Sequence, residues 1–348
     1  MSPQSFLVIG GGHIGLASVV YLSSQGHTVY LISRRASTTH SQTIQSSGPI
    51  AQGSFPVALY SNRFVDIAAV HRGRLPSNII LCCRGQDLQP YAEQLSSYCQ
   101  PGMNILLLCA ARFAGRAFSQ LLQQTGVPKH RLPAIADVHN MPFISRGNGQ
   151  DQVAIKALTN KCFVAAQSPE LTERLVSQYQ PLFKHLYPLP DALAVNLNKC
   201  NDIIHVPLIW ASFAQWETGE DYNPYYNLGP QTVQLIEMLD RDRVTIGQNL
   251  GVSPLIDICQ HYQLAYGTKG PSLFEHVQQL HAYSCTNVGN PQHRYLTEDL
   301  PFGLFPLQAL AKTALIETPV LDSYITLGRS IVEPKPYWTA DFLGLKDL

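Results

Sequence analysis

The first 32 residues constrain the fold of this chain more than any other part of it. A short apolar run at residues 5–9 leads into the pattern Gly10-x-Gly12-x-x-Gly15, and an apolar stretch of helical length follows. A second apolar run lies at residues 28–32. Strand, glycine turn, helix and strand in this order form a βαβ unit with buried parallel strands. The chain is therefore predicted to begin with an α/β domain built around a parallel sheet.

In this context the glycine pattern predicts a dinucleotide-binding turn. The first glycine permits the tight turn, the second lets the backbone approach a pyrophosphate, and the third lets the helix pack against the strand. The N-terminus of the helix then offers free N–H groups and a partial positive charge to the phosphates. The alternative is a tight turn that binds no ligand. The residues expected to bind the cofactor here are Gly10, Gly12, His13, Ile14 and Gly15.

The end of the second predicted strand indicates which cofactor is used. Folds that bind NAD usually place Asp or Glu about 20 residues past the glycines, where the carboxylate binds the ribose 2′-hydroxyl. This chain has Ser33-Arg34-Arg35 there, with no acidic residue nearby. Guanidinium groups bind phosphate through a planar fork of donors, so these residues favour the 2′-phosphate of NADPH. The alternative is a pair of solvated arginines in a surface loop.

Strand and helix signals alternate through the first half of the chain. Further strands are predicted at residues 78–82 and 104–108, with helices at residues 88–98 and 113–124. After the proline-rich segment at residues 187–190, apolar residues recur at helical spacing and no strand alternation is evident. Helices are predicted there at residues 233–250, 255–264 and 307–316.

These patterns predict two domains. The first is a Rossmann-type NAD(P)-binding domain over residues 1–187, and the second is an all-helical domain over residues 188–348. Two domains also agree with the usual size of about 150 residues per domain. In such proteins a ligand binds at the carboxyl ends of the strands, so the active site is expected in the cleft between the domains.

Composition and charge limit the possible partners. The 24 basic residues match the 24 acidic residues, which argues against a nucleic acid or an anionic membrane as partner. Charged residues make up only 14% of the chain, which favours an oligomer, predicted here as a homodimer. No apolar run approaches the roughly 20 residues of a membrane span, and the N-terminus does not resemble a signal peptide. The eight cysteines show neither CxxC pairs nor zinc spacing, so we expect reduced thiols, no metal site and a cytoplasmic protein.

Two polar segments of the second half, residues 201–207 and 293–303, carry candidate catalytic groups. His205 is suited to general acid/base chemistry because imidazole titrates near neutral pH. Asp299 would hold the ring in one tautomer, and Arg294 could bind a substrate carboxylate. On spacing alone, a structural histidine and a local Arg–Asp salt bridge are equally good interpretations. The polar aromatic loop at residues 222–227 could also line a site.

The chain resembles the opine dehydrogenases, the octopine/nopaline dehydrogenase group, along nearly its whole length. The glycine pattern is common to many dehydrogenases, so it carries little of this resemblance. The most specific stretch is Arg294-Tyr295-x-x-Glu298-Asp299, followed by Leu-Pro-Phe-Gly. The other stretches that resemble the family are residues 101–115, 136–146, 201–207, 230–252 and 318–322.

The resemblance implies an NAD(P)-dependent oxidoreductase of amino acid metabolism. Such an enzyme condenses the amino group of an amino acid with a 2-oxo acid such as pyruvate, and it reduces the imine with NADPH to a secondary amine dicarboxylate, an opine. The family's catalytic pair falls on His205 and Asp299, and its substrate-carboxylate arginine falls on Arg294. Asn201, one helical turn before His205, matches the family's substrate-binding asparagine.

The chain also departs from the family, and two other functions stay open. Residues 111–114 are poorer in glycine than the family pattern, and residues 217–220 differ near the expected amine pocket. One alternative is a 2-hydroxy acid or ketopantoate-type reductase; the absence of lysine from residues 201–205 and the pairing of Arg294 with Asp299 argue against it. The other is a non-catalytic NADP(H)-binding sensor, which would not need His205 or Asp299.

Overall fold

The computed structural model describes residues 2–148, 150–219, 222–280, 293–332 and 338–347. The chain forms two compact units, of which the first comprises Met1–Cys109 and Ala114–Asp191, and the second comprises Ala110–Phe113 and Ala192–Leu348. The division falls a few residues after the predicted boundary between residues 187 and 188, because Leu186–Pro188 pairs as a strand of the first unit. The grouping of Ala110–Phe113 with the second unit was not predicted.

The first unit is an α/β domain. Its helices are α1 (His13–Ser24), α2 (Phe64–Val70), α3 (Leu88–Leu95), α4 (Ala114–Gln124) and α5 (Pro169–Tyr179). Its strands are β1 (Ser5–Ile9), β2 (Thr28–Ile32), β3 (His40–Ser47), β4 (Gly53–Ser61), β5 (Asn78–Leu81), β6 (Asn104–Leu107), β7 (Ala134–Val138), β8 (Phe143–Gly147), β9 (Gln152–Leu158), β10 (Cys162–Ala165) and β11 (Leu186–Pro188).

Within the described residues these strands form one sheet in the order β11-β10-β7-β6-β5-β1-β2-β4-β3-β9-β8. The central strands β2, β1, β5, β6 and β7 pair in parallel. Strands β5, β6 and β7 are buried along their whole length. Their largely apolar sequences are typical of strands covered on both faces, and the predicted parallel βαβ core is confirmed.

The edges of the sheet were not predicted. Strand β3 pairs antiparallel with β4, β8 pairs antiparallel with β9, and β10 runs antiparallel to β7. Strand β3, with the sequence His-Ser-Gln-Thr-Ile-Gln-Ser-Ser, buries only its fifth and seventh residues, so it lacks the apolar signal of the central strands. Such half-exposed strands are stabilised by their cross-strand neighbours rather than by an apolar run, so the sequence gives little signal of them.

The second unit is helical, and none of its described residues forms a strand, which confirms the predicted helical domain. The predicted helices correspond to Pro230–Asn249, Ile258–Tyr266 and Phe305–Thr313, with ends displaced by a few residues. No helix in the described ranges is both long and apolar enough to cross a membrane. The helices are α6 (Ala192–Leu197), α7 (Asn201–Ala211), α8 (Phe213–Glu217), α9 (Pro230–Asn249), α10 (Ile258–Tyr266), α11 (Leu273–Gln278), α12 (Arg294–Thr297), α13 (Phe305–Thr313), α14 (Pro319–Gly328) and α15 (Ala340–Leu343).

A buried histidine makes the first unit sensitive to acid. The His185 ring packs edge-on against Phe183, and its Nε2 has no hydrogen-bond partner within the described chain. Burial lowers the pKa of His185 from 6.5 to about 4. Below pH 6.5 the unfolded chain therefore binds a proton that the folded chain rejects, and stability is lost as the pH falls.

We expect the free energy of unfolding to fall by about 2 kcal/mol between pH 7 and pH 5 through His185 alone. His185→Gln should remove this part of the acid sensitivity, as measured by urea unfolding at both pH values. His130→Gln, at an exposed position of the same unit, is the matched control and should leave the acid sensitivity unchanged. Equal acid sensitivity of the wild type and His185→Gln would contradict the assignment.

Candidate active site

The glycine turn after β1 has the geometry of a phosphate-binding turn. Gly10 has φ of 109°, and a Cβ atom there would lie 1.9 Å from the carbonyl oxygen of Cys82. A Cβ at Gly15 would lie 1.8 Å from the carbonyl oxygen of Gly10, so only glycine lets α1 approach β1 this closely. At Gly12, in contrast, an added Cβ meets no atom within 4 Å. The turn is thus packed tightly against the protein at Gly10 and Gly15 and is open at Gly12.

This opening fits the pyrophosphate of a dinucleotide. Gly12 is the N-cap of α1 and has no side chain to bind the first N–H groups of the helix. The His13 ring pairs with the Ser145 hydroxyl at 3.2 Å, and Ile14 packs on the apolar core of the unit. Because both side chains are turned to the protein, these residues offer a ligand chiefly their backbone N–H groups.

Part of the segment after β2 binds the protein itself and is not free to bind a phosphate. Ser33 is buried, its N–H donates to the carbonyl oxygen of Ser61 at 2.7 Å, and its hydroxyl accepts the N–H of Arg35 at 3.3 Å. Ser33 therefore shapes the turn. Arg34 and Arg35 are exposed, and Arg34, 59% exposed, forms an ion pair with Asp87 at 3.0 Å. This partner of Arg34 was not foreseen, because Asp87 lies far away in the sequence.

In the second unit the structure brings together the predicted catalytic pair. His205 lies on α7, and Asp299 lies between α12 and a π-helical segment, Leu300–Leu304. The Nδ1 atom of His205 is 2.5 Å from Oδ2 of Asp299, and both side chains are buried. If Nδ1–H donates to the carboxylate, Nε2 is the ring nitrogen left for proton transfer.

The carboxyl group of Asp299 keeps its proton to a higher pH than an ordinary aspartate. Burial raises the pKa of Asp299 to about 7, and the Arg294 guanidinium opposes that rise. Since the two groups are in direct hydrogen-bond contact, they titrate as one coupled unit. A pair that gains or loses a proton close to pH 7 is suited to general acid/base catalysis.

Two tyrosines lie against the His205 ring, and sequence analysis assigned no role to Tyr295. The Tyr295 ring stacks on it with centroids 3.6 Å apart and 13° between the planes. Tyr225 meets the imidazole edge-on at 6.3 Å, and its hydroxyl lies 3.3 Å from that of Tyr295. A stacked aromatic face stabilises a cationic imidazole. Tyr225 comes from the loop at residues 222–227 that was predicted as a possible site lining.

Arg294 is also close to the pair, whereas the side chain of Asn201 forms no hydrogen bond with it among the described residues. The Nη2 atom of Arg294 is 4.0 Å from Oδ1 of Asp299, its Nε is 3.1 Å from Oε2 of Glu298, and its side chain is 35% exposed. It can therefore meet a ligand from solvent. Asn201 begins α7, one turn before His205, and its side chain has no hydrogen-bond partner among the described residues.

Other histidines and acidic residues that could take part in catalysis or substrate binding either form hydrogen bonds within the protein or lie outside the described residues. His139 accepts the backbone N–H of Phe163 at 2.8 Å, and His293 accepts that of Tyr295 at 3.4 Å. Of the acidic residues near the expected amine pocket, Glu217 ends α8. Glu220 and Asp221 lie outside the described residues.

Sequence analysis missed a buried ion pair beside the site. Arg112, in the stretch that departs from the family pattern, contacts Asp202 of α7 with its Nε 2.6 Å from the carboxylate. The only sequence signal was an arginine where glycine was expected. The sequence gives no sign that Asp202 is the partner of Arg112, because only folding brings the two side chains together.

Comparison with known families separates the two parts of the chain. Residues 188–332 match the family model of NAD/NADP octopine/nopaline dehydrogenase, alpha-helical domain. Residues 6–109 match the model of ketopantoate reductase PanE/ApbA. The helical part thus carries the more specific match, and the amino-terminal part matches a dinucleotide-dependent reductase.

Whole-chain comparisons give the same picture. The chain is 24% identical to an opine dehydrogenase of Arthrobacter sp. (strain 1C), over 99% of this chain and 96% of the relative. Its fold is similar to octopine dehydrogenase with NADH and L-arginine, with a TM-score of 0.72 and 15% identity, covering 94% of this chain and 89% of the other. NADP⁺-bound yersinopine dehydrogenase is similar with a TM-score of 0.73 and 16% identity, covering 98% and 95%.

The helical-domain match and the relative spanning nearly the full chain agree with the fold and with the dinucleotide turn. Residues 188–332 thus match the helical domain of the octopine/nopaline dehydrogenases, the whole chain is similar to an opine dehydrogenase, and these matches indicate an NAD(P)-dependent oxidoreductase.

Proposed function

We propose that this protein is an NADPH-dependent opine dehydrogenase that joins an amino acid to a pyruvate-like 2-oxo acid. The observation that carries the proposal is the buried His205–Asp299 contact of 2.5 Å with Arg294 beside it. A proton-transfer group next to a partly exposed guanidinium suits a substrate that has both a reacting carbonyl and a carboxylate. The similar octopine dehydrogenase structure contains NADH and L-arginine, which supports an amino acid as the second substrate.

The pair supplies the proton transfers that condensation requires. The amine attacks only when it is neutral, so its proton has to be removed, and the hydroxyl of the resulting carbinolamine has to be protonated before it leaves as water. His205 Nε2 can accept the first proton and donate the second, while Asp299 holds the ring and stabilises its cationic form. Arg294 binds the oxo-acid carboxylate through two parallel hydrogen bonds. When bound, NADPH supplies the hydride that reduces the imine.

A ketopantoate-type reductase remains the main alternative, because residues 6–109 match that family. Such an enzyme reduces a carbonyl and needs no amine. The decisive experiment follows NADPH oxidation with pyruvate, with and without a pool of amino acids, and identifies products by mass spectrometry. Oxidation that requires both substrates and yields a secondary amine supports the proposal, and oxidation with pyruvate alone favours the reductase. Binding of NADPH without turnover would indicate a sensor.

A cytoplasmic location and a homodimer stay predictions from composition. Sedimentation of the purified protein measures the second directly, and a monomer at micromolar concentration would contradict it.

The cofactor preference should depend on the exposed arginines after β2. One charge-assisted contact with the 2′-phosphate contributes about 1.5–3 kcal/mol, so NADPH should bind roughly ten- to hundredfold more tightly than NADH. Replacing Arg34 and Arg35 together by Ala should remove most of this preference, measured by fluorescence titration. Arg84→Ala is the matched control, since Arg84 shares Asp87 with Arg34 but does not follow β2. Equal binding of NADH by the wild type would refute the assignment.

Arg294→Ala should raise the KM for the oxo acid strongly and leave the affinity for NADPH intact. Arg294→Lys should restore little activity, because an ammonium group lacks the planar pair of donors. Steady-state kinetics with varied pyruvate, together with NADPH titration, measure both quantities. Loss of NADPH binding in Arg294→Ala would show instead that the residue supports folding.

The pair should behave as one unit in catalysis. His205→Ala should lower kcat by about 10²–10⁴-fold, and Asp299→Asn should cost a comparable factor by misorienting the ring. The double variant should be little worse than either single variant.

The same pair should set the pH dependence. The condensing rate should rise through about pH 7, as the pair loses the proton that blocks His205, and should fall again when no acid is left for the departing hydroxyl. Normal turnover of both single variants, or multiplied losses in the double variant, would move the acid/base role to His139 or His293.

A further inference from the structure

Arg112 is a fully buried arginine with an unusually complete set of partners. It belongs to Ala110–Phe113, the short segment that groups with the helical unit. Its Nε and Nη2 donate to the two carboxylate oxygens of Asp202, at 2.6 and 2.7 Å. Nη2 also donates to the carbonyl oxygen of Lys199 at 2.7 Å, and Nη1 donates to that of Asn196. Four hydrogen bonds on a planar group leave it little freedom.

These partners determine where the helix of His205 begins. Asn196 lies on α6, Lys199 lies between α6 and α7, and Asp202 is in the first turn of α7. Asp202 precedes His205 by three residues, a spacing that places both side chains on neighbouring positions of the helix surface. A shift of Arg112 would therefore displace the first turn of α7, and His205 with it.

Arg112 also contacts the segment that carries the other half of the pair. Its backbone N–H donates to the carbonyl oxygen of Phe302 at 2.8 Å, within the π-helical segment that directly follows Asp299. The same segment packs on Asp202, since a Cβ at Gly303 would lie 2.6 Å from a carboxylate oxygen of Asp202. Short π-helical segments occur frequently at functional sites. One residue thus binds both elements that the catalytic pair joins.

We propose that Arg112 is a positioning residue, which with Asp202 sets the separation and the charge balance of His205 and Asp299. The same unit contains another buried arginine, whose partners indicate a role in folding alone. Arg243 is equally buried, pairs with Asp240 at 2.5 Å and donates to the carbonyl oxygens of Leu197 and Ile256, yet it bonds neither to α7 nor to the π-helical segment. The catalytic meaning of the inference rests on the proposed function.

The charges around Asp299 support an influence of both partners. Arg112 lowers the pKa of Asp299 and Asp202 raises it, with burial as the larger effect. Among the described residues, the pair is also faced by Arg294, by its partner Glu298, and by Tyr225 and Tyr295 beside the His205 ring. Because Arg112 and Asp202 carry opposite charges, neutralising them should move the titration of the pair in opposite directions.

The test is an NMR pH titration of the His205 ring in protein with labelled histidine. The signal is assigned by its loss in His205→Gln. Arg112→Gln should raise the apparent pKa of the pair by roughly 0.5–1 unit, and Asp202→Asn should lower it by a similar amount. Arg243→Gln is the matched control: it should lower the melting temperature and leave the titration unchanged. Shifts in the same direction, no shifts, or an equal shift in Arg243→Gln would overturn the proposal.

Two further variants cover the case in which a single charge left buried prevents folding. The double variant Arg112→Gln with Asp202→Asn carries neither charge, and its titration should return close to that of the wild type. Arg112→Lys keeps the charge but not the fork, so kcat for NADPH oxidation with pyruvate and amino acids should fall about tenfold without a change in NADPH affinity. Unchanged kcat in a folded Arg112→Lys would count against positioning. The NMR titration needs no substrate, so it tests Arg112 even if the protein forms no opine.

Discussion

The proposed chemistry of this protein depends on one short contact between two buried side chains, His205 and Asp299. Neither group would be stable as a lone buried charge, and the hydrogen bond between them offsets part of the cost of burying each one. Several neighbouring residues surround this contact. Tyr295 stacks on the imidazole, and Arg294 lies beside the carboxylate. Arg112 binds the helix that carries His205 and the segment that follows Asp299. Folding has to bring together residues separated by 94 positions before any of this exists.

In the proposed function the two units recognise different molecules: the first binds the common cofactor, and the second binds the particular substrate. The glycine turn provides backbone N–H groups and open space at Gly12, which suit the pyrophosphate found in every dinucleotide. The helical unit provides side chains with individual placement, and its match to the octopine/nopaline group is the specific one. This explains why the first unit alone also matches ketopantoate reductases.

What could be predicted from the sequence follows from the range of the interactions involved. The βαβ core was predictable because buried parallel strands and glycine turns leave local patterns, and a family resemblance put forward His205, Asp299 and Arg294 as site residues. The antiparallel edges of the sheet were missed, since β3 is mostly polar and exposed and lacks the apolar run of the central strands. The ion pair of Arg34 with Asp87 and the stacking of Tyr295 on His205 were also missed. Each is a contact between side chains far apart in the sequence, so no local pattern marks it.

The placement of Ala110–Phe113 has a consequence for how such proteins can be divided or recombined. The chain passes between the two units three times, although its domains look like consecutive blocks in the sequence. A fragment that ends at Asp191 would contain Arg112 without Asp202, and so would hold a guanidinium whose carboxylate is missing. A chimera joined only at the late boundary would combine an arginine from one parent with an acid from another. Arg112 and Asp202 should therefore be inherited together, and the natural unit of exchange in this protein is discontinuous.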